Sequence, residues 1–218
     1  MSERTLVQLF EDSVEKFGDS VLMWEKKKDS YEGTTYREIR QSVYRFAAGL
    51  MANGIRRGDR IALISEGRND WVISELAILY AGAVNVPLSV KIEELSELKF
   101  RLAHSGCRMA IVSKNHSPKV LAVRRDLPDL EKIILLDPID APGDDVLLLA
   151  ELYVQGDQFL QSRRDEFEHC WRSVRENDPA NICYTSGTTA DPKGIILTHR
   201  NYTANVEQAS SLLPIPQW

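Results

Sequence analysis

The chain has 218 residues, 43% of them hydrophobic and 27% charged, with 32 acidic against 27 basic side chains and a net charge of −5. This is globular composition, enough for one sizeable core or two small ones, and it excludes a polybasic nucleic-acid binder. No apolar run follows Met1-Ser2-Glu3-Arg4, and the longest uncharged stretch, 76–90, contains Asn85, Pro87 and Ser89; we therefore expect no secretory signal, no transmembrane segment and a cytoplasmic protein.

An amphipathic helix comes first, with Leu6, Phe10, Val14 and Phe17 on one face, Thr5 and Gln8 as a capping box and Gly18 as its stop. A short strand over 21–24 leads through a turn containing Lys26-Lys27-Lys28 and Gly33, read as a hairpin with a solvated lysine edge. A second helix starts at Thr35 with Glu38 as its box partner. It buries Ile39, Val43, Phe46 and Leu50 and ends at Gly54.

Strands and helices then alternate: strand 60–65, helix 69–81, strand 84–88, helix 92–104, strand 109–113, helix 117–125, strand 132–136. Such alternation with short connections predicts an α/β fold, a doubly wound, largely parallel sheet flanked by helices, beside an N-terminal β-hairpin. Residues 138–145 read as a loop, and helical stretches over 146–159 and 162–174 as an insertion. Asp178-Pro179-Ala180 introduces a strand over 181–185, a second strand covers 194–198, and a last helix begins near Arg200 or Asn201. The division expected is an α/β subdomain over 1–137, a loop and helical insertion over 138–177, and a motif-bearing segment over 178–218. The apolar ending Leu212-Leu213-Pro214-Ile215-Pro216-Gln217-Trp218 reads as a cut, so the chain is expected to be the N-terminal part of a longer enzyme.

Cys107, Cys170 and Cys183 are odd in number and lack Cys-x-x-Cys spacing, which reads as buried thiols. His104, His116, His169 and His199 show no ligand spacing either. Trp71 opens an apolar helix face and reads as core, Arg68-Asn69-Asp70 as a helix cap, and His199 as structural.

The chemistry sits in Tyr184-Thr185-Ser186-Gly187-Thr188-Thr189-Ala190-Asp191-Pro192-Lys193-Gly194. Gly187 lets backbone approach a ligand, the hydroxyls and free N–H groups are short donors, Lys193 adds a point charge, and Pro192 stiffens the exit. Between two strands this suits a phosphate-wrapping turn; the structural alternative is a surface hairpin whose Ser, Thr and Gly serve turn chemistry alone. It is not a Walker A element, which would need Gly-Lys-Ser/Thr where this chain has Pro192-Lys193-Gly194.

The stretch resembles the phosphate-binding signature of the adenylate-forming superfamily (acyl-CoA synthetases, luciferases and peptide-synthetase adenylation domains), roughly Tyr-Thr-Ser-Gly-Thr-Thr-Gly-x-Pro-Lys-Gly, then an apolar strand and Thr-His. Ile195-Ile196-Leu197-Thr198-His199-Arg200-Asn201 fits that continuation. Ala190 stands where the family has glycine; at a positive φ, alanine there costs about 1 kcal/mol. Upstream, Thr34-Thr35-Tyr36-Arg37-Glu38, Gly58-Asp59-Arg60-Ile61, Arg68-Asn69-Asp70-Trp71 and Gly82-Ala83-Val84-Asn85-Val86-Pro87-Leu88 are similar to family elements. Asn69-Asp70-Trp71 and Thr198-His199-Arg200-Asn201 resemble the long-chain fatty acid–CoA ligase branch in particular. The resemblance covers most of 5–113 and 178–205.

The resemblance implies an AMP-forming acid–thiol ligase using ATP, Mg²⁺ and coenzyme A on a small carboxylic acid, with a fatty acid as the expected substrate. It implies that Thr185, Ser186, Gly187, Thr188, Thr189 and Lys193 contact ATP phosphates, that Lys193 stabilises the leaving group, and that Thr185 approaches Mg²⁺. The family's Tyr-Gly-x-Thr-Glu segment, ribose-binding aspartate, hinge and C-terminal lysine have no counterpart in these 218 residues. The remainder of the chain is thus an implied partner, and the 218 residues alone are expected to be catalytically incompetent. The alternatives are a free-standing nucleotide- or partner-binding module, an aryl-CoA ligase and a peptide-synthetase adenylation domain.

Overall fold

The computed structural model describes residues 4–139, 143, 145–185 and 192–212. Two capping boxes fix the first third of the chain: Thr5 with Gln8 opens α1 (Leu6–Phe17), and Thr35 with Glu38 opens α2 (Tyr36–Ala52). Between these helices, β1 (Val21–Lys27) and β2 (Ser30–Thr35) pair antiparallel as a sheet of their own. Their turn is Lys28-Asp29, with Lys28 at φ 53°. Gly33, expected in that turn, instead lies in β2 opposite Trp24. A Cβ there would stand 2.9 Å from a Val21 methyl and 3.2 Å from the Trp24 ring, so cross-strand packing accounts for the glycine.

The alternating region forms β3 (Arg60–Ile64), α3 (Asn69–Tyr80), β4 (Val84–Pro87), α4 (Leu95–Ser105), β5 (Cys107–Val112), α5 (Ser117–Arg124) and β6 (Lys132–Leu135). After it come β7 (Val146–Leu148), α6 (Leu149–Ser162), α7 (Arg164–Arg172), β8 (Pro179–Thr185), β9 (Lys193–Thr198) and α8 (His199–Leu212). The sheet order is β7-β6-β5-β3-β4-β8-β9, parallel throughout except for the antiparallel pair β8–β9. Strands β3 to β7 thus repeat the doubly wound order 2-1-3-4-5.

The period-2 alternation of the strands sorts their side chains between two helical layers. Ile61, Leu63, Met109, Ile111 and Ile134 pack under α1, α2, α3, α6 and α7. Ala62, Ile64, Ala110, Val112, Ile133 and Leu135 pack under α4 and α5. Residues 146–148, expected to begin a helix, instead pair in register with Ile133, Ile134 and Leu135 of β6. A three-residue apolar strand running straight into an apolar helix has no period that separates the two.

Helix α6 lies directly on α2. Gly49 and Gly156 meet at the crossing, and a Cβ on Gly156 would strike the Arg45 carbonyl and come within 3.0 Å of the Gly49 nitrogen. Arg45 and Asp157 then latch the two helices with paired 2.7 Å bonds.

Two further expectations need correction. Arg68-Asn69-Asp70 does not cap α3 with its own side chains: the Asn69 N–H donates to Glu25 of the hairpin (3.3 Å), and Arg68 pairs with Asp70 and Asp137. Of the three thiols only Cys107 is buried, and burial pushes it up to about 11; Cys170 and Cys183 are half-buried. Cys170 lies on amphipathic α7, and Cys183 on the outermost strand pair, where cover from the sheet ends.

Candidate functional site

Strand β8 runs parallel to β4, so Thr185 emerges at the carboxyl edge of the sheet, where open α/β sheets bind ligands. Strand β9 returns antiparallel, and the last cross-strand pair is Thr185↔Lys193. Both residues are exposed. The geometry therefore sets a hydroxyl and an ammonium side by side at the mouth of the connecting segment. Ser186, Gly187, Thr188 and Thr189, together with Ala190, lie outside the described residues.

Below this mouth, β8 is anchored on both faces. On one, Asn181 donates to Glu75 of α3 (3.2 Å) and to the Tyr202 hydroxyl of α8 (2.8 Å), while Asn85 of β4 donates to the same Glu75 oxygen (3.1 Å). On the other, the Tyr184 hydroxyl stands 2.8 Å from His104 Nδ1 and 3.3 Å from the Arg101 carbonyl oxygen, both on α4. Burial raises the Tyr184 phenol above its ordinary range, so it stays a neutral hydrogen-bonding group.

The residues after β9 are structural. The Thr198 N–H donates to Asn201 Oδ1 (2.8 Å) and the Asn201 N–H to Thr198 Oγ1 (3.3 Å), a reciprocal cap that starts α8. His199 is buried and accepts the Leu6 N–H at Nδ1 (3.2 Å), tying α8 to α1. Burial pushes its imidazole down to about 4, against the opposing pull of Asp178.

Two other places bear on ligand binding. The crevice between β3 and β5, where the strand order reverses, is filled from within: Asn115 Nδ2 donates to Glu66 (2.8 Å) and His116 Nε2 stands 3.2 Å from the same carboxylate. A cavity of about 430 Å³ between α1, α2 and α7 is lined by Glu11, Asp12, Glu15, Arg37, Arg40 and Arg172. Arg40 pairs with Glu11, Asp12 with Arg4, Arg37 with Asp19 and Arg172 with Glu168, and the cavity lies away from the motif. Among the described residues no group of three or more His, Cys, Asp or Glu could hold a metal ion. A magnesium ion at the loop mouth would lean mainly on phosphate oxygens, with Thr185 as its protein neighbour, which suits an ion that habitually binds through substrate phosphates.

Sequence reasoning missed His104 and Arg101, because a contact across eighty residues leaves no periodic or motif signal. The Asn181–Glu75 anchor was missed for the same reason.

A doubly wound sheet with a Thr–Lys pair at its carboxyl edge is a frame in which open α/β sheets commonly bind ligands. The chain belongs to the AMP-binding enzyme family, which it matches over residues 10–216. It is 29% identical over 224 residues to a chloroplastic long-chain fatty acid–acyl-carrier-protein ligase of Arabidopsis thaliana, covering 97% of this chain and 30% of that protein. It is 31% identical over 204 residues to a mitochondrial medium-chain acyl-CoA ligase of Rattus norvegicus, covering 83% of this chain and 31% of that one. The fold is similar to that of coronafacic acid ligase from Pectobacterium brasiliense, with a TM-score of 0.78 at 20% identity over 95% of this chain and 37% of that structure. The chain thus spans about a third of the length of the curated relatives it matches. No helix among the described residues is long and apolar enough to cross a membrane.

Proposed function

We propose that this chain supplies the ATP-phosphate-binding segment of an AMP-forming ligase that joins a long-chain fatty acid to coenzyme A. The observation that carries the reading is the pairing of Thr185 with Lys193 at the carboxyl edge of the sheet, with Ser186-Gly187-Thr188-Thr189 strung between them. In the proposed reaction the carboxylate attacks the α-phosphorus of ATP and pyrophosphate leaves, and the thiol then displaces AMP. Negative charge grows on the pyrophosphate as its bond breaks. The Lys193 ammonium, the Thr185 hydroxyl and the donors of residues 186–189 are the groups we assign to stabilise it. Magnesium, when bound, neutralises the same phosphates.

The whole chain is read as a partial N-terminal AMP-binding domain, in keeping with its covering about 30% of its relatives. Alone it binds polyphosphate weakly and forms no acyl-adenylate. The second reading, a module that binds nucleotide phosphates without catalysis, is favoured by one residue, Ala190, in place of the family glycine.

Calorimetric titration of the 218-residue chain with pyrophosphate and ATP, beside an ATP–pyrophosphate exchange assay with fatty acid, tests the proposal. The expected result is weak binding of both ligands and no exchange. Absence of any polyphosphate binding refutes the site, and exchange or thioester formation refutes the incompetence of the isolated chain. Intact mass of the native gene product separates the two readings: a much longer chain favours the ligase, and a mass near 24.7 kDa the binding module.

A further inference from the structure

We infer that His104, acting with the Arg101 backbone, is a positioning residue for the phosphate site: it clamps Tyr184, the residue immediately before Thr185. The inference rests on the proposed phosphate-binding role of Thr185 and Lys193. Strand β8 joins the rest of the sheet in register only at Asn85↔Asn181. Beyond that pair, residues 182–185 are hydrogen-bonded to β9, itself the edge of the sheet. The outer half of β8 therefore takes its position relative to the sheet from side-chain anchors, and the one next to the mouth is Tyr184.

The clamp is built from four groups on α4. His104 stacks on Phe100 (5.2 Å between ring centres, 16° between planes), which fixes the imidazole nearly edge-on to the Tyr184 ring (5.8 Å, 69°). Arg101, held by Glu97 at 2.5 Å, lies 5.6 Å from the Tyr184 ring centre. A phenol has one hydrogen. It makes both contacts at once, 2.8 Å to His104 Nδ1 and 3.3 Å to the Arg101 carbonyl oxygen, only when Nδ1–H donates to the phenol and the phenol donates to the carbonyl. The geometry thus puts the ring hydrogen on Nδ1 and makes a relay from imidazole through phenol to the backbone of α4. Gly106, at φ 62°, ends α4 in a left-handed cap directly after these residues, so the helix end that bears the clamp is itself fixed.

The test uses the 218-residue chain as wild type, His104→Ala, His104→Asn, Tyr184→Phe and the double variant His104→Ala/Tyr184→Phe. Amide exchange over 182–185 and pyrophosphate affinity are measured on each, with ¹⁵N imidazole shifts on the wild type. Expected are faster exchange and about tenfold weaker pyrophosphate binding in either single substitution, the loss of one coupled hydrogen-bond unit. The double variant should be no worse, His104→Asn should recover both, and the ¹⁵N signature should show a protonated Nδ1. Unchanged exchange in His104→Ala, additive single effects or a bare Nδ1 would overturn the clamp. If the wild type binds no pyrophosphate, the phosphate site falls, and exchange with the ¹⁵N signal still decides the clamp.

Discussion

Replacing Gly156 by alanine tests whether α6 rests on α2 through backbone contact. The added Cβ would lie inside contact distance of the Arg45 carbonyl oxygen, 2.8 Å from the Arg45 carbonyl carbon and 3.0 Å from the Gly49 nitrogen. All three are backbone atoms, so no side-chain rotation clears them and the helices must part by about 1 Å. A gap of that size forfeits roughly a quarter to a half of the dispersion energy of the contacts it opens. Those contacts include Leu152 against Gly49 and the edge-to-face pair Phe46–Tyr153, 6.0 Å between ring centres. Overpacking of this kind costs about 1–3 kcal/mol, and with two packed helices displaced we take the upper figure. Alanine's helix propensity returns about 1 kcal/mol. The net loss is then about 2 kcal/mol, or roughly 4–8 °C in Tm for a chain of this size. Urea and thermal unfolding followed by circular dichroism measure it, with Gln158→Ala on the exposed side of α6 as control. A Gly156→Ala protein as stable as the wild type, or more stable by the propensity gain, would refute the close crossing.

Three further outcomes are expected. Glu11 Oε1 accepts from both Tyr44 (2.9 Å) and Tyr80 (2.5 Å), so Glu11→Ala should lower stability by about 2–4 kcal/mol in urea titrations, and Glu11→Gln, which keeps an acceptor, by less. His199 has its folded pKa depressed to about 4 from 6.5, so the unfolded chain binds the proton more readily between those values. Stability present above pH 6.5 should therefore fall by about 3 kcal/mol as pH drops to 4, and His199→Gln should flatten that slope in unfolding measured across the window. Lys193→Ala should weaken pyrophosphate binding by about tenfold or more with little change in Tm, since the side chain is exposed; equal affinity by calorimetry would remove Lys193 from the site.

Local chemistry explains what the sequence discloses and what it withholds. The capping boxes at Thr5/Gln8 and Thr35/Glu38 are complete within four residues, and each starts a helix where its residues say. The strands from β3 to β6 carry apolar runs bounded by glycine, proline or polar residues, which is all a parallel strand needs to be recognised. Val146–Leu148 lacks any such boundary before α6, and its identity comes from β6. The cap of α3 is likewise supplied from elsewhere, by Glu25, forty-four residues upstream. At the candidate site the same division holds. Thr185 and Lys193 are named by an ordered motif, and the structure sets them opposite each other. The side chains that hold their strand, His104 through Tyr184 and Glu75 through Asn181, belong to other helices and are visible only in three dimensions.

The order of strands also imposes a timetable on synthesis. β4 lies inside the finished sheet, yet its outer neighbour β8 begins about 90 residues later, roughly ten seconds behind on the ribosome at ordinary elongation rates. During that interval β4 is an open edge carrying Val84 and Val86, a template for pairing with another chain. Asn85 sits between those two valines, and in the finished fold it is wholly buried and donates to Glu75. While the edge stands open, that amide interrupts an otherwise apolar strand, the kind of break that lowers the aggregation tendency of a β-segment. When β8 arrives, it meets β4 in register at Asn85↔Asn181, so the polar residue of the open edge is also the one that pairs with the strand that closes it.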